Sequence, residues 1–437
     1  MKITDVRIIR KTTQFEPKYK SEDRVCGPLD VYADDRWDRE REREKEMARS
    51  APALILNDAH QGAGQGAARQ PGAGPARQAG TGAYSDKPAP GTISGYFLSV
   101  LTDEGFSGEC GPLSYRSEML AIMDGLRGML IGQNPIKNRR LWDEMSRFDR
   151  HSRSGVMMMA ISALDVALWD LKGKILGQPV YRLLGGGRDR VRPYISTLGF
   201  STDIAPARKL ATELKAKGIK AQKWFFRYGP GDGAAGMTKN LDLAFMLRDA
   251  LGKDYELMFD CWMGWTVRYA QQILRELEPV KPMWVEEVLR PHMEDGYRAL
   301  RKCTDIPLSA GEHLYTRMEV NSYLRDNVFQ VMQSDPVWCG GITETLRIAD
   351  LCEMYGVTFI PHGHTLMPAL HAVASMPPDV CPYCEYLLNY METKNAFFKY
   401  DRLGNDGWLT LNDTPGLGEE IDEDRLAGSE PVDGFKF

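Results

Sequence analysis

The chain has 437 residues, 43% of them hydrophobic and 26% charged, with a formal net charge of -5. That length buries a sizeable core and leaves room for two or three domains, which excludes a small peptide-binding module. The mildly acidic balance lacks the basic footprint of a nucleic-acid partner, and no apolar run approaches the roughly 20 residues that a membrane helix requires.

The first residues, "MKITDVRIIRK", alternate apolar and polar side chains and predict a strand over 3–10. They lack the apolar core of a signal peptide, so a cytoplasmic protein is expected. A second strand is expected over 95–103. Between the two, residues 34–50 are a dense mixture of charges that reads as an exposed helix. Residues 61–85 are rich in Gly, Ala, Gln and Pro and read as a mobile loop. The whole insertion, about 12–92, is expected to be a tolerated surface excursion or a segment whose ends form a lid. Helical spacing follows over 115–147, and "MMMAISALDVALWDLKGKILGQPVYRLLGG" predicts a buried helix stopped by glycine.

From about residue 190 short apolar runs alternate with amphipathic helices. The runs are "RPYISTL", "IKAQKWFF", "YELMFDC", "MWVEEV", "IPLSAGE", "VFQVMQSD", "VTFIPH" and "CEYLL". Eight strands separated by helices predict an α/β fold, a (β/α)7β-type TIM barrel, better than an open sheet. The expected organisation is an α+β capping domain over 1–140, a barrel over 141–395 and a tail over 396–437 that returns to the cap. The eight cysteines, including the pair in "CPYC", read as buried structural thiols rather than a disulfide framework or a zinc site.

The polar residues that end these runs carry the chemistry. Asp260, Glu286, Glu312, Asp335 and His362 follow one another at intervals of 26, 26, 23 and 27 residues, and a barrel brings all its strand C-termini to one face. Three carboxylates on successive strand ends repel one another unless a cation lies between them. Oxygen ligands favour a hard ion, Mg²⁺ first and Mn²⁺ second. Glu287, by strand alternation, is expected to point away and be structural. An Asp335 carboxylate on one nitrogen of His362 would raise the basicity of the other, as a general base requires. Beside a metal, such a base suits removal of a proton alpha to a carboxylate.

These residues, with "ISALDVALWDLKGKILGQPVYRLLGG", resemble the mandelate racemase subgroup of the enolase superfamily. "LMFDCW", "WVEEV", "AGEH", "DPVWCGGITE" and "PHGH" are most similar to the L-rhamnonate dehydratases and related sugar-acid dehydratases. The resemblance implies Mg²⁺-assisted loss of water from an aldonate to give a 2-keto-3-deoxy acid, in a homo-oligomer with an octamer among its forms. It implies that His362 takes the C2 proton and Asp335 orients it. The protonated His362 returns its proton to the leaving 3-hydroxyl if the elimination is syn. His313 is a candidate for bonding substrate or intermediate, and Glu385 matches the eighth-strand glutamate, with a carboxylate-contacting or electrophilic role. Lys223 and Arg227 are candidates for positioning a carboxylate or hydroxyl. His364 is a weaker candidate for substrate contact, and His371 reads as structural. Where racemases of this subgroup place Lys-x-Lys, this chain has Lys223 followed by Phe225, so one-sided dehydration is expected over racemisation.

Three other readings compete. A dehydratase of another aldonate or aldarate would use the same groups. A barrel that binds a sugar acid without turning it over is a second. The third is an NAD-dependent oxidoreductase, suggested by "GDGAAG" at 231–236, which fits G-x-G-x-x-G but leaves the strand-end polar groups unexplained.

Overall fold

The computed structural model describes residues 1–16, 18, 25–28 and 91–432. The expected charged helix at 34–50 and the expected loop at 61–85 lie outside the described residues.

The N-terminal unit is built on an antiparallel sheet ordered β13-β1-β2-β3. Strand β1, Ile3–Phe15, runs five residues further than the alternation predicted and pairs along its length with β2, Gly91–Thr102. Strand β3 is Ser107–Cys110, and β13, Leu426–Pro431, is the tail returning to the far edge of β1. The expected helical region divides into helical turns over 116–130 and the helix Asn138–Phe148.

The long apolar segment forms the helix Gly155–Leu176, with 15 buried residues. It lies across β3. Gly108 makes the close approach possible, because a Cβ there would stand 2.1 Å from the Ala167 carbonyl oxygen. The helix stops at Gly177 in the left-handed region (φ 63°), where Gln178 N–H reaches back to Gly173 O at 2.9 Å, the arrangement of a glycine-terminated helix. This helix, which lies past the expected boundary at residue 140, packs on the capping sheet.

Eight parallel strands follow: β4 Arg190–Ser196, β5 Ala221–Phe225, β6 Glu256–Asp260, β7 Val285–Glu286, β8 Leu308–Ala310, β9 Val331–Met332, β10 Thr358–Phe359 and β11 Tyr383–Leu387. They pair in the order β10-β9-β8-β7-β6-β5-β4-β11, so the last strand lies beside the first. Across the remaining seam Phe359 N–H donates to Val380 O at 2.8 Å. Seven helices connect the eight strands, from Ile204–Ala216 after β4 to Leu366–Ser375 before β11. This is the expected (β/α)7β barrel. In the tail, β12, Leu409–Thr410, pairs antiparallel with β4, so the tail touches the barrel as well as β1.

One apolar cluster marks the barrel interior: Tyr194, Ala221, Met258, Trp284, Val331, Ile360 and Tyr383, one residue from each of seven strand segments. All eight cysteines are free thiols, and seven are buried. Among the described residues no helix is long and apolar enough to cross a membrane.

Candidate active site

Strand periodicity builds the site directly on that apolar layer. Moving two residues toward the C-terminus from each of its members gives Ser196, Lys223, Asp260, Glu286, Gln333, His362 and Glu385, all 6% exposed or less. Successive inward side chains of a strand are two residues apart, so these form the next layer up. Register confirms lateral contact, since Asp260 pairs with Glu286 across β6 and β7.

At the centre of the layer stands Lys223. Its Nζ lies 2.6 Å from Glu286 Oε1, 3.0 Å from Glu385 Oε1 and 3.1 Å from Asp260 Oδ2. Burial opposes its charge, yet Glu286 and Glu385 hold the ammonium well above the usual lysine range. The other Glu286 oxygen accepts from Trp284 Nε1 at 3.0 Å and Gln333 Nε2 at 2.9 Å. Glu385 Oε2 accepts from Gly363 N–H at 2.9 Å. Lys223 is thus placed among protein carboxylates, and it also lines the cleft that opens above them.

The expected pair forms. His362 Nδ1 lies 2.6 Å from Asp335 Oδ2, whose other oxygen accepts from Val337 N–H at 2.7 Å. Nε2 of His362 then faces Glu312 Oε2 at 3.6 Å. Burial works against the imidazolium, but the Glu312 charge and the Asp335 hydrogen bond raise His362 to about 10.

Glu312 follows β8 beyond Gly311, whose φ of 129° suits glycine. Its Oε1 is 3.3 Å from His313 Nε2, and the His313 ring stacks on Trp338 with centroids 5.7 Å apart. Burial pushes His313 down to about 3, so it is neutral at ordinary pH.

Glu287 corrects the alternation argument. It leaves β7 with φ 45°, which turns it out of the strand pattern. It is buried, 3.9 Å from His313, and its Oε2 makes no hydrogen bond. Donor atoms of Glu287, Glu312 and His313 lie within 4.8 Å of one another. Two adjacent acids in "VEEV" were the only sequence signal for it.

The electrostatics fit a hard divalent cation. Six carboxylates (Asp260, Glu286, Glu287, Glu312, Asp335 and Glu385) are buried together near two cationic groups, Lys223 and His362. Burial pushes Glu286 up to about 8 and Glu312 up to about 7, against the pull of Lys223 and His362 respectively, and neighbouring carboxylates add to both shifts. Carboxylates so crowded are short of positive charge, and the donors are mainly oxygen.

A narrow cleft opens above this layer, with Lys223, Asp260, Glu312, His362, His364 and Tyr390 in its lining. Of the remaining candidates, Arg227 is half-buried beside Tyr228, 5.7 Å from its ring, and does not line the cleft. His371 is outside it: Nδ1 accepts from Tyr181 N–H at 2.9 Å and Nε2 donates to Leu417 O at 3.0 Å. Tyr390 and Trp338 had no signal in the strand-end pattern, because one lies past β11 and the other in the loop after β9. The last glycine of "GDGAAG" serves packing: a Cβ on Gly236 would stand 2.4 Å from that of Asp232.

Two family comparisons decide the affiliation. Residues 91–185 match the mandelate racemase / muconate lactonizing enzyme N-terminal domain, and residues 206–425 match the enolase C-terminal domain-like family. The chain belongs to the enolase superfamily. The chain is similar to the L-rhamnonate dehydratase of Saccharopolyspora erythraea, 32% identical over 292 residues, covering 64% of this chain and 71% of that protein. Among solved structures, the 3,6-anhydro-D-galactonate cycloisomerase of Zobellia galactanivorans is 30% identical, with TM-score 0.68 over 77% of this chain and 95% of its own. The L-rhamnonate dehydratase of Gibberella zeae shares the fold at 23% identity, with TM-score 0.73 over 98% and 96% of the two chains.

Proposed function

We propose that this enolase-superfamily protein is a Mg²⁺-dependent sugar-acid dehydratase, a hydro-lyase, with an L-rhamnonate-like aldonate as substrate. The observation that carries the reading is the Asp335–His362 pair at 2.6 Å with its free-facing Nε2 beside Glu312 at the barrel mouth. The 32% identity to an L-rhamnonate dehydratase supports the substrate class.

Asp260, Glu286 and Glu312 would hold the ion, and Glu287 Oε2 offers a further oxygen beside them. Bound there, Mg²⁺, or Mn²⁺ in its place, would supply positive charge against the negative charge that develops when the C2 proton leaves. A cation on Glu312 would offset the charge that holds His362 protonated, so that its neutral Nε2 can take the C2 proton, and Asp335 fixes the tautomer and stabilises the imidazolium that results. Lys223 holds Asp260, Glu286 and Glu385 in place in a buried layer at the floor of the cleft. Glu385 and His313 stand at the edges of the same layer, and His364 lines the cleft where a substrate hydroxyl would lie. Arg227 would reach substrate only from outside the lining.

The protein is further read as cytoplasmic, since eight free thiols suit a reducing compartment. It is read as a homo-oligomer because Met318 and Met354 stand 72% and 65% exposed on packed neighbouring helices.

The test is a screen of purified protein with Mg²⁺ against aldonates, aldarates and 3,6-anhydro-D-galactonate, detecting 2-keto-3-deoxy acids. Turnover of one acid that vanishes in His362→Asn is expected. Metal binding with no turnover across the set would refute the dehydratase.

A further inference from the structure

In the scheme above, His362 would serve both as the base at C2 and as the acid for the departing 3-hydroxyl. The structure holds a second proton-bearing pair close by. Tyr390 OH lies 2.6 Å from His364 Nε2, and Ser114 Oγ, from the capping unit, lies 2.9 Å from the same nitrogen. Trp338 sits against both histidines, 5.0 Å from each ring centroid, and the two imidazoles are 6.3 Å apart. Tyr390 and His364 both line the cleft with His362, Asp260 and Glu312.

The surroundings favour proton donation by the phenol. Lys394, buried, places Nζ 4.7 Å from the Tyr390 ring centroid and donates to Thr365 Oγ1 at 2.9 Å and to the His364 carbonyl. A cation against the ring stabilises the phenolate that remains after the proton leaves.

We propose that Tyr390, hydrogen-bonded to His364, is the acid that protonates the departing 3-hydroxyl of the sugar acid, a role that rests on the dehydratase reading. The C2–H bond breaks and its proton passes to His362. The C3–O bond breaks and the oxygen leaves as water with the Tyr390 proton. The resulting enol takes a proton at C3 from His362 and gives up its O2 proton, which returns to Tyr390 through His364. Protons balance, and no oxidant or reductant enters.

The experiment compares wild type and Tyr390→Phe in D₂O, following exchange of the C2 hydrogen by NMR alongside formation of the 2-keto-3-deoxy acid. The substitution keeps the ring and removes only the hydroxyl. Exchange within about threefold of wild type, with dehydration slowed by about 10²- to 10⁴-fold, is the expected result. A 3-deoxy-3-fluoro analogue of the accepted acid, whose leaving fluoride has less need of an acid, should recover most of the lost rate in Tyr390→Phe. Exchange and dehydration falling together, with no recovery on the fluoro acid, would assign Tyr390 a structural role and overturn the proposal. Dehydration unchanged in Tyr390→Phe would overturn it too, leaving His362 to do both steps. A wild-type protein that dehydrates no acid overturns the underlying dehydratase reading and this role with it.

Discussion

His371 makes stability depend on pH in a way that one substitution isolates. The imidazole is buried, accepts Tyr181 N–H on Nδ1 and donates to Leu417 O from Nε2. Burial pushes it down from 6.5 to about 4, because protonation would put a second N–H where Tyr181 already donates. A histidine with a depressed folded-state value contributes stability that is present above its unfolded value and is lost as pH falls toward the folded one. Between pH 7 and pH 5 the loss is about 2 kcal/mol, and by pH 4 it reaches about 3 kcal/mol. The contact it weakens fastens Tyr181 to the helix Leu366–Ser375, which follows the His362 and His364 loop. Urea unfolding of wild type and His371→Gln, followed by tryptophan fluorescence at each pH, measures the effect. The wild-type midpoint should fall further than that of the variant as the buffer moves from pH 7 to pH 4. Parallel curves for the two proteins would refute the reasoning.

Three further outcomes are expected. Asp335→Asn keeps a side chain at His362 Nδ1 but withdraws the negative charge, so dehydration should slow by about 10²- to 10⁴-fold, and the acid limb of the pH–rate profile should move to lower pH. A limb that stays in place would remove Asp335 from the base. Glu312→Gln should weaken Mg²⁺ binding by more than about tenfold, read by calorimetry without substrate; unchanged affinity would take Glu312 out of the metal set. Gly108→Ala would drive a methyl to 2.1 Å from the Ala167 carbonyl, and thermal melting should show a loss of about 1–3 kcal/mol or more. An unshifted melt would mean that helix Gly155–Leu176 stands further from β3 than the structure places it.

Much of this was legible in the order of residues. Apolar runs ending in Asp260, Glu286, Glu312, Asp335 and His362 reported the barrel, because inward strand positions repeat every second residue and the barrel gathers the C-terminal ends. The Asp335–His362 contact follows from the same rule, since both residues continue the inward series of adjacent strands. What required the tertiary structure were the departures from periodicity. Glu287 reaches His313 because a left-handed φ overrides alternation at a strand end, and such a backbone angle in a glutamate leaves no trace in composition. Lys223 meets three carboxylates because β5, β6, β7 and β11 turn their side chains into one buried layer; the sequence shows a lysine on a strand, and only the packing around it decides which groups it meets. Tyr390, Ser114 and Lys394 converge on His364 from loops and helices remote in the chain. Local periodicity determines which face of an element a residue occupies, whereas contacts between distant loops are set by how whole elements pack.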